Sequence, residues 1–149
     1  MCPKCSAKKS AFIKANASVA AQIASQLNVP TANILGLAAE ETGWGTSSIS
    51  QNAHNFFGIH AGAPGNIGTY TTSDGSAVSM YTAATGFLSS GQSFATNCGS
   101  LVNGIDNPTN FTQALVPSFN PANAQAGGNP SFINLVSGTI DSVNACLTR

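Results

Sequence analysis

Between Ser10 and Leu27 apolar residues recur at Phe12, Ile13, Val19, Ala20, Ile23 and Leu27. That spacing, near 3.6 residues, predicts an amphipathic helix. Asn28-Val29-Pro30 ends it, and Thr31 is placed to cap a second helix running to about Thr42, where Gly43 stops it. Ser47 to Gln51 reads as a further turn, and Asn52 to Ala63 as a loop carrying two aromatics. From Ile67 to Tyr81 the pattern turns β-branched and alternating, Thr69-Tyr70-Thr71-Thr72 and then Ala77-Val78-Ser79-Met80-Tyr81, around Ser73-Asp74-Gly75. Asp-Gly between such runs predicts a hairpin. Helical spacing returns at Ala84, Phe87, Leu88, Phe94, Ala95 and Cys98, and in a short piece from Thr109 to Val116. Pro117 to Pro130 reads as a loop, and the last helix carries Phe132, Val136, Ile140, Val143 and Leu147 on one face. The pattern has no internal repeat and no linker between two cores. It predicts one α+β domain, mostly helical with a small hairpin, over residues 10–149, behind an N-terminal segment 1–9 that holds Cys-x-x-Cys.

Composition narrows the chemistry. Only 7% of the 149 residues are charged, against about a quarter in an average domain, so the surface must be largely hydroxyl and amide. Net charge is zero, and four of the five basic residues (Lys4, Lys8, Lys9, Lys14) lie in the first fourteen positions. That distribution excludes a nucleic-acid groove, which needs cations spread over one face. No apolar run approaches the roughly 18–20 residues of a membrane span. After Lys14 the polar residues Asn16, Ser18, Gln22 and Ser25 break up any compact apolar block, so the chain reads as mature protein without a secretory signal.

Cys2 and Cys5 make half a zinc site at best, with His54 and His60 far along the chain, and no metal or other cofactor is expected. Cys98 and Cys146 each fall on the apolar stripe of a predicted helix; two buried thiols and a core disulfide both remain open. A bridge would place the protein in an oxidising compartment. Cys98 lacks the setting that activates a thiol nucleophile.

Five acids remain: Glu40, Glu41, Asp74, Asp106 and Asp141. On a helical wheel the apolar centre of Ile34, Leu35, Leu37 and Ala38 lies about 40° from Glu41 and roughly 140° from Glu40. Glu41 is thus expected at the edge of the core and Glu40 on the wet face. A partly desolvated carboxyl favours its neutral form, which suits a general acid.

Ile34 to Gly45, ILGLAAEETGWG, followed by Asn52 to Ile59, NAHNFFGI, resembles the signature of the family 73 glycoside hydrolases, bacterial N-acetylglucosaminidases that cut peptidoglycan. The resemblance is strong over Ile34 to Ile59 and looser to the C-terminus. It implies a lysozyme-like fold with a helical lobe and a hairpin lobe closing a saccharide cleft. It places the catalytic glutamate on Glu41, and matches Gly43, Trp44, Asn55, Phe57, Gly58 and Ile59 to the remaining motif positions. Asp74 stands where the family has a glutamate, and the segment Phe119 to Phe132 lacks the tyrosine of the family's corresponding loop.

The expected activity is hydrolysis between N-acetylglucosamine and N-acetylmuramic acid, with Glu41 as acid and Asp74 as the one protein candidate for the second role. Trp44, Phe57 and Tyr81 are expected to offer apolar faces to sugar rings, and His54, Asn55 and Gly58 to line the substrate. A lytic transglycosylase and a non-catalytic glycan-binding domain are the alternatives. A wall hydrolase must reach the periplasm or cell wall; the routes are a contact-dependent effector such as those of type VI secretion, a phage lysin, or a domain excised from a larger protein. An effector would require a cognate immunity protein that plugs the cleft.

Overall fold

The computed structural model describes residues 5–121 and 130–147. Among the described residues six helices and one hairpin follow one another: α1 (Ala7–Leu27), α2 (Thr31–Thr42), α3 (Ser48–Ala53), β1 (Gly68–Thr71), β2 (Ala77–Met80), α4 (Gly86–Val102), α5 (Pro108–Phe119) and α6 (Pro130–Leu147). The strands pair antiparallel with Tyr70 opposite Val78. Among the described residues no helix is long and apolar enough to cross a membrane.

The centre of the molecule is α2. Every residue from Ala32 to Ala39 is buried, so this helix has no wet face until its last turn. α1 and α6 enclose it, and glycine sets how close they come: a Cβ on Gly36 would lie 2.5 Å from Ile140 Cγ1 and 2.7 Å from its Cα. Buried Asn33 is satisfied by donating to the carbonyls of Ile105 and Asp106. A run of aromatic contacts, Phe12 with Phe87, Phe87 with Phe57, and Phe57 stacked on Phe94 at 5.3 Å, joins α1 to α4 beneath the loop after α3.

Several boundaries differ from the sequence expectation. α1 starts at Ala7, because the Ser6 hydroxyl accepts the Lys9 N–H as an N-cap, so Lys8 and Lys9 belong to the helix. Thr31 is the first residue of α2 instead of its cap; Pro30 occupies the cap position without a side-chain bond. Ser48–Ala53 forms a full short helix. α5 passes through Pro117 to Phe119, since a proline in the last turn removes one N–H while Asn120 N–H still closes the helix on the Val116 carbonyl.

The cysteine pairing is neither of the two alternatives the sequence left open for Cys98 and Cys146, a bridge between them or two free thiols. Cys146 is bonded to Cys5, and Cys98 is a free thiol, 3% exposed. The stripes did place Cys98 and Cys146 toward the interior, but α6 runs along α2 toward the start of α1 and delivers Cys146 to Cys5. The staple therefore ties together the two helices that clamp α2. Cys2 lies outside the described residues.

A bridge between residues 141 apart restrains nearly the whole unfolded chain. Reduction, or Cys146→Ser, is expected to cost about 2–5 kcal/mol, a fall of roughly 5–20 °C in Tm. Thermal denaturation with and without a reductant checks this; an unchanged Tm in the reduced protein would contradict it.

Candidate active site

Glu41 lies in the last turn of α2, where the buried helix first meets solvent. Burial, reinforced by the neighbouring Glu40 charge, pushes its carboxyl from the ordinary 4.5 up to about 7. Glu40 does not point to open water as the wheel implied. α6 covers that side, and the Thr139 hydroxyl donates to Glu40 Oε1 at 2.9 Å.

The chain is turned away from Glu41 by two consecutive left-handed residues, Gly43 (φ 55°) and Trp44 (φ 60°). Buried Thr42 fixes this corner, its hydroxyl donating to the Ala38 carbonyl and accepting the Gly45 N–H. Trp44 consequently packs edge-on against Phe12 at 5.8 Å, with the Lys9 ammonium 5.3 Å above its ring. It supports the helix end from the α1 side and is not among the residues lining the groove around Glu41.

Ala53 to His60 forms the opposite wall. The segment alternates strictly, Ala53, Asn55, Phe57 and Ile59 buried and the residues between them at least partly exposed. Asn55 is fully buried and uses all its hydrogen-bonding capacity within the protein: Nδ2 donates to the Ile59 and Ser79 carbonyls, and Oδ1 accepts from the Phe57 and Ile59 N–H groups. It has nothing left for a ligand, which corrects the expectation that it binds sugar. Phe57 is also buried, with most of its ring in the aromatic core, but it borders the part of the groove that reaches Asn97. His54 caps α3 in the left-handed region and packs on Gly86, where a Cβ would come 2.6 Å from its own. Tyr81 is 0% exposed and its hydroxyl pairs with Ser93, so it too is a framework residue.

Gly58 and His60 are on the open phase of this alternation, and both line the groove beside Glu41. Gly58 (φ 64°) lies so near that a Cβ would sit 3.1 Å from Glu41 Oε2. His60 was missed by the sequence reading, although the period-two pattern from Ala53 onward is the signal that would have found it. His60 also bridges to Val78, and Ser79 donates to the His60 carbonyl, tying this wall to β2.

Asp74 stands at the hairpin tip, fully exposed. The Thr72 hydroxyl and the Ser76 N–H donate to its Oδ1, and these bonds hold its carboxyl below the ordinary range. The groove has two connected parts that share Glu41, Gly58 and His60: one of about 640 Å³ reaching the hairpin from Thr72 to Val78, the other of about 420 Å³ reaching Asn97, Cys98 and Phe119. Glu41 and Asp74 thus face one continuous space with their acidities driven apart. Burial raises the Cys98 thiol, which disfavours a thiolate nucleophile there. Among the described residues no group of three or more His, Cys, Asp or Glu is placed to hold a metal ion. Of the segment Phe119 to Phe132, residues 122–129 lie outside the described residues.

Comparison with known proteins agrees with this architecture. The sequence matches the glucosaminidase family, described as mannosyl-glycoprotein endo-beta-N-acetylglucosaminidase, over residues 17–140. A chain from a type VI secretion system effector–immunity complex of Pseudomonas protegens superposes with TM-score 0.84 at 32% identity, covering 99% of this chain and 100% of that one. A peptidoglycan hydrolase from Sphingomonas sp. A1 gives TM-score 0.70 at 25% identity, covering 93% of each. The glycoside hydrolase domain of Salmonella typhimurium FlgJ shares the fold, with TM-score 0.69 at 20% identity over 93% of this chain and 90% of that one. No curated protein sequence matches the chain.

The raised carboxyl has a consequence for stability. The folded state holds the Glu41 proton up to about pH 7 while the unfolded chain releases it near 4.5. Native stability therefore falls as pH rises through that window. Glu41→Gln, which cannot ionise, is expected to be more stable than wild type by about 1–3 kcal/mol at about pH 8, with no gain below about pH 4. Urea denaturation at the two pH values reads it; an equal difference at both would contradict the buried-acid description.

Proposed function

This chain belongs to the glucosaminidase family, and from that premise we propose that it is a peptidoglycan hydrolase cleaving the glycosidic bond between N-acetylglucosamine and N-acetylmuramic acid. The observation that carries the reading is the pair of carboxyls in one groove: Glu41 neutral up to about pH 7 and Asp74 held ionised. Glycoside cleavage asks for that division, a proton for the leaving oxygen and negative charge or an activated water for the oxocarbenium-like sugar.

Glu41 gives its proton to the glycosidic oxygen as the bond to the anomeric carbon breaks. Glu40, by raising Glu41, keeps that proton available near neutrality. Gly58 leaves room for the glycosidic oxygen beside Oε2, where any side chain would intrude. Asp74, on the hairpin side of the groove, stabilises the positive sugar or takes a proton from the attacking water; the substrate's acetamido group is the other candidate for that role. A neutral groove of hydroxyls and amides suits an uncharged glycan.

The likeness to a chain of an effector–immunity complex supports a second layer of the proposal, that this protein acts on the cell wall of another bacterium and is neutralised at home by a protein that occupies the groove. The Cys5–Cys146 bridge fits an oxidising compartment such as the periplasm. Directed to the periplasm of a host that lacks such an inhibitor, the protein should lyse it; harmless accumulation there would count against this layer.

Glu41→Gln is expected to slow digestion of purified peptidoglycan by about 10²- to 10⁴-fold, the usual worth of a general acid. Glu40→Gln keeps the acceptor for Thr139 and should remain within about threefold of wild type, because only a neighbouring charge is lost. Mass spectrometry of the fragments completes the test. Reducing N-acetylglucosamine ends support hydrolysis, anhydro ends would assign a lytic transglycosylase, and binding without fragments a glycan-binding domain.

A further inference from the structure

One face of α4 meets the groove above only at Asn97. Ser89, Gln92, Ser93, Thr96 and Asn97 recur at helical spacing on it. Together with Pro64 and Gly65 they enclose a separate cavity of about 340 Å³. Asn97 belongs both to this cavity and to the part of the groove that holds Glu41, so the two spaces adjoin.

Its surface is mostly apolar, set with a few amides and hydroxyls, a mixture that suits the C–H faces and polar substituents of an uncharged sugar. The side chains of Gln92, Thr96 and Asn97 have no hydrogen-bond partner among the described residues, leaving two amides and a hydroxyl free toward the cavity. Below them, Ser93 (6% exposed) and Tyr81 (0%) share a single hydrogen bond of 2.9 Å. Two hydroxyls bring two protons and the shared bond consumes one; with Tyr81 as its donor, Ser93, which lines the cavity, keeps its own proton for a ligand. Pro64 supplies an apolar wall across from these groups. No charged side chain lines the space, so a carboxylate or ammonium would enter it unpaired, at a cost.

We propose that this α4 cavity is a saccharide subsite that takes an N-acetylated hexosamine of the same glycan strand, beyond the sugars flanking the cleaved bond. The acetamido group and hydroxyls meet Gln92, Asn97 and Thr96, and the C–H face of the ring lies toward Pro64. The inference rests on the reading of the Glu41 groove as a glycan-cleaving site. It assigns the α4 face a role in choosing long strands over short ones. Free stem peptides, which carry charged ends, are not its ligand.

The test compares Thr96→Tyr, which fills the cavity from an exposed helix position, and Gln92→Ala, which only removes an amide. Each is assayed on long peptidoglycan strands, with and without enzymatically removed stem peptides, and on the shortest oligosaccharide the wild type cleaves. Melting temperatures confirm folding of both variants. The preference for long over short substrate, as kcat/KM, is expected to fall about fivefold or more in Thr96→Tyr and about two- to threefold in Gln92→Ala. The change should reside in KM and be the same with and without stem peptides. An unchanged preference, an equal loss on both lengths, or a loss confined to stem-bearing strands would overturn the subsite. A wild type that cleaves no glycan would instead remove the reading beneath it.

Discussion

Glu41 stands two positions after eight consecutive buried residues, Ala32 to Ala39, so its carboxyl is drawn out of water at the end of a helix that lies in the core. Among the described residues no cation is paired with it in return. Glu40 adds repulsion, and Gly58 lies so close that a Cβ there would fall 3.1 Å from Oε2. The neutral acid is therefore the form the fold accepts, and the free energy spent on holding it is recovered from packing elsewhere. The groove, its second carboxyl and the flanking walls all depend on where that one helix end is held.

Close helix contacts supply the hold. Gly36 lets α6 approach to backbone distance, and a Cβ on Gly91 of α4 would fall 2.1 Å from Ile23 of α1. The Cys5–Cys146 staple then fastens α1 to α6 outside α2. On the other side, the Ala53–His60 wall is locked to β2 by Asn55, Ser79 and the Tyr81 N–H bond to the Ala53 carbonyl. The helical lobe positions a neutral acid, and the hairpin lobe presents an ionised one with local hydrogen bonds alone.

Much of this was legible in the sequence, and the failures share a cause. Helical and β periodicity reported which side of an element turns inward, which is why the wheel separated Glu41 from Glu40 and the Asp-Gly signal located the hairpin. Periodicity does not say which element covers the inward or outward side. Hence Glu40 was assigned to water although α6 lies over it, and Cys98 was offered to Cys146 although Cys5 stands nearer. A motif likewise names the residues a site requires without distinguishing those that touch a ligand from those that frame it. Asn55, Tyr81 and Trp44 proved to be framework, saturated or packed inside the protein, while His60, one residue beyond the motif, faces the groove.

The central claim is that desolvation makes Glu41 a neutral acid near pH 7, and carboxyl-carbon NMR titration of the selectively labelled protein measures it directly. Wild type should titrate near 7, and Glu40→Gln should lower that value while leaving it well above 4.5, because burial is the larger cause and Glu40 the smaller. A Glu41 resonance that titrates at the ordinary 4.5, or one that falls to it when Glu40 is neutralised, would contradict the account.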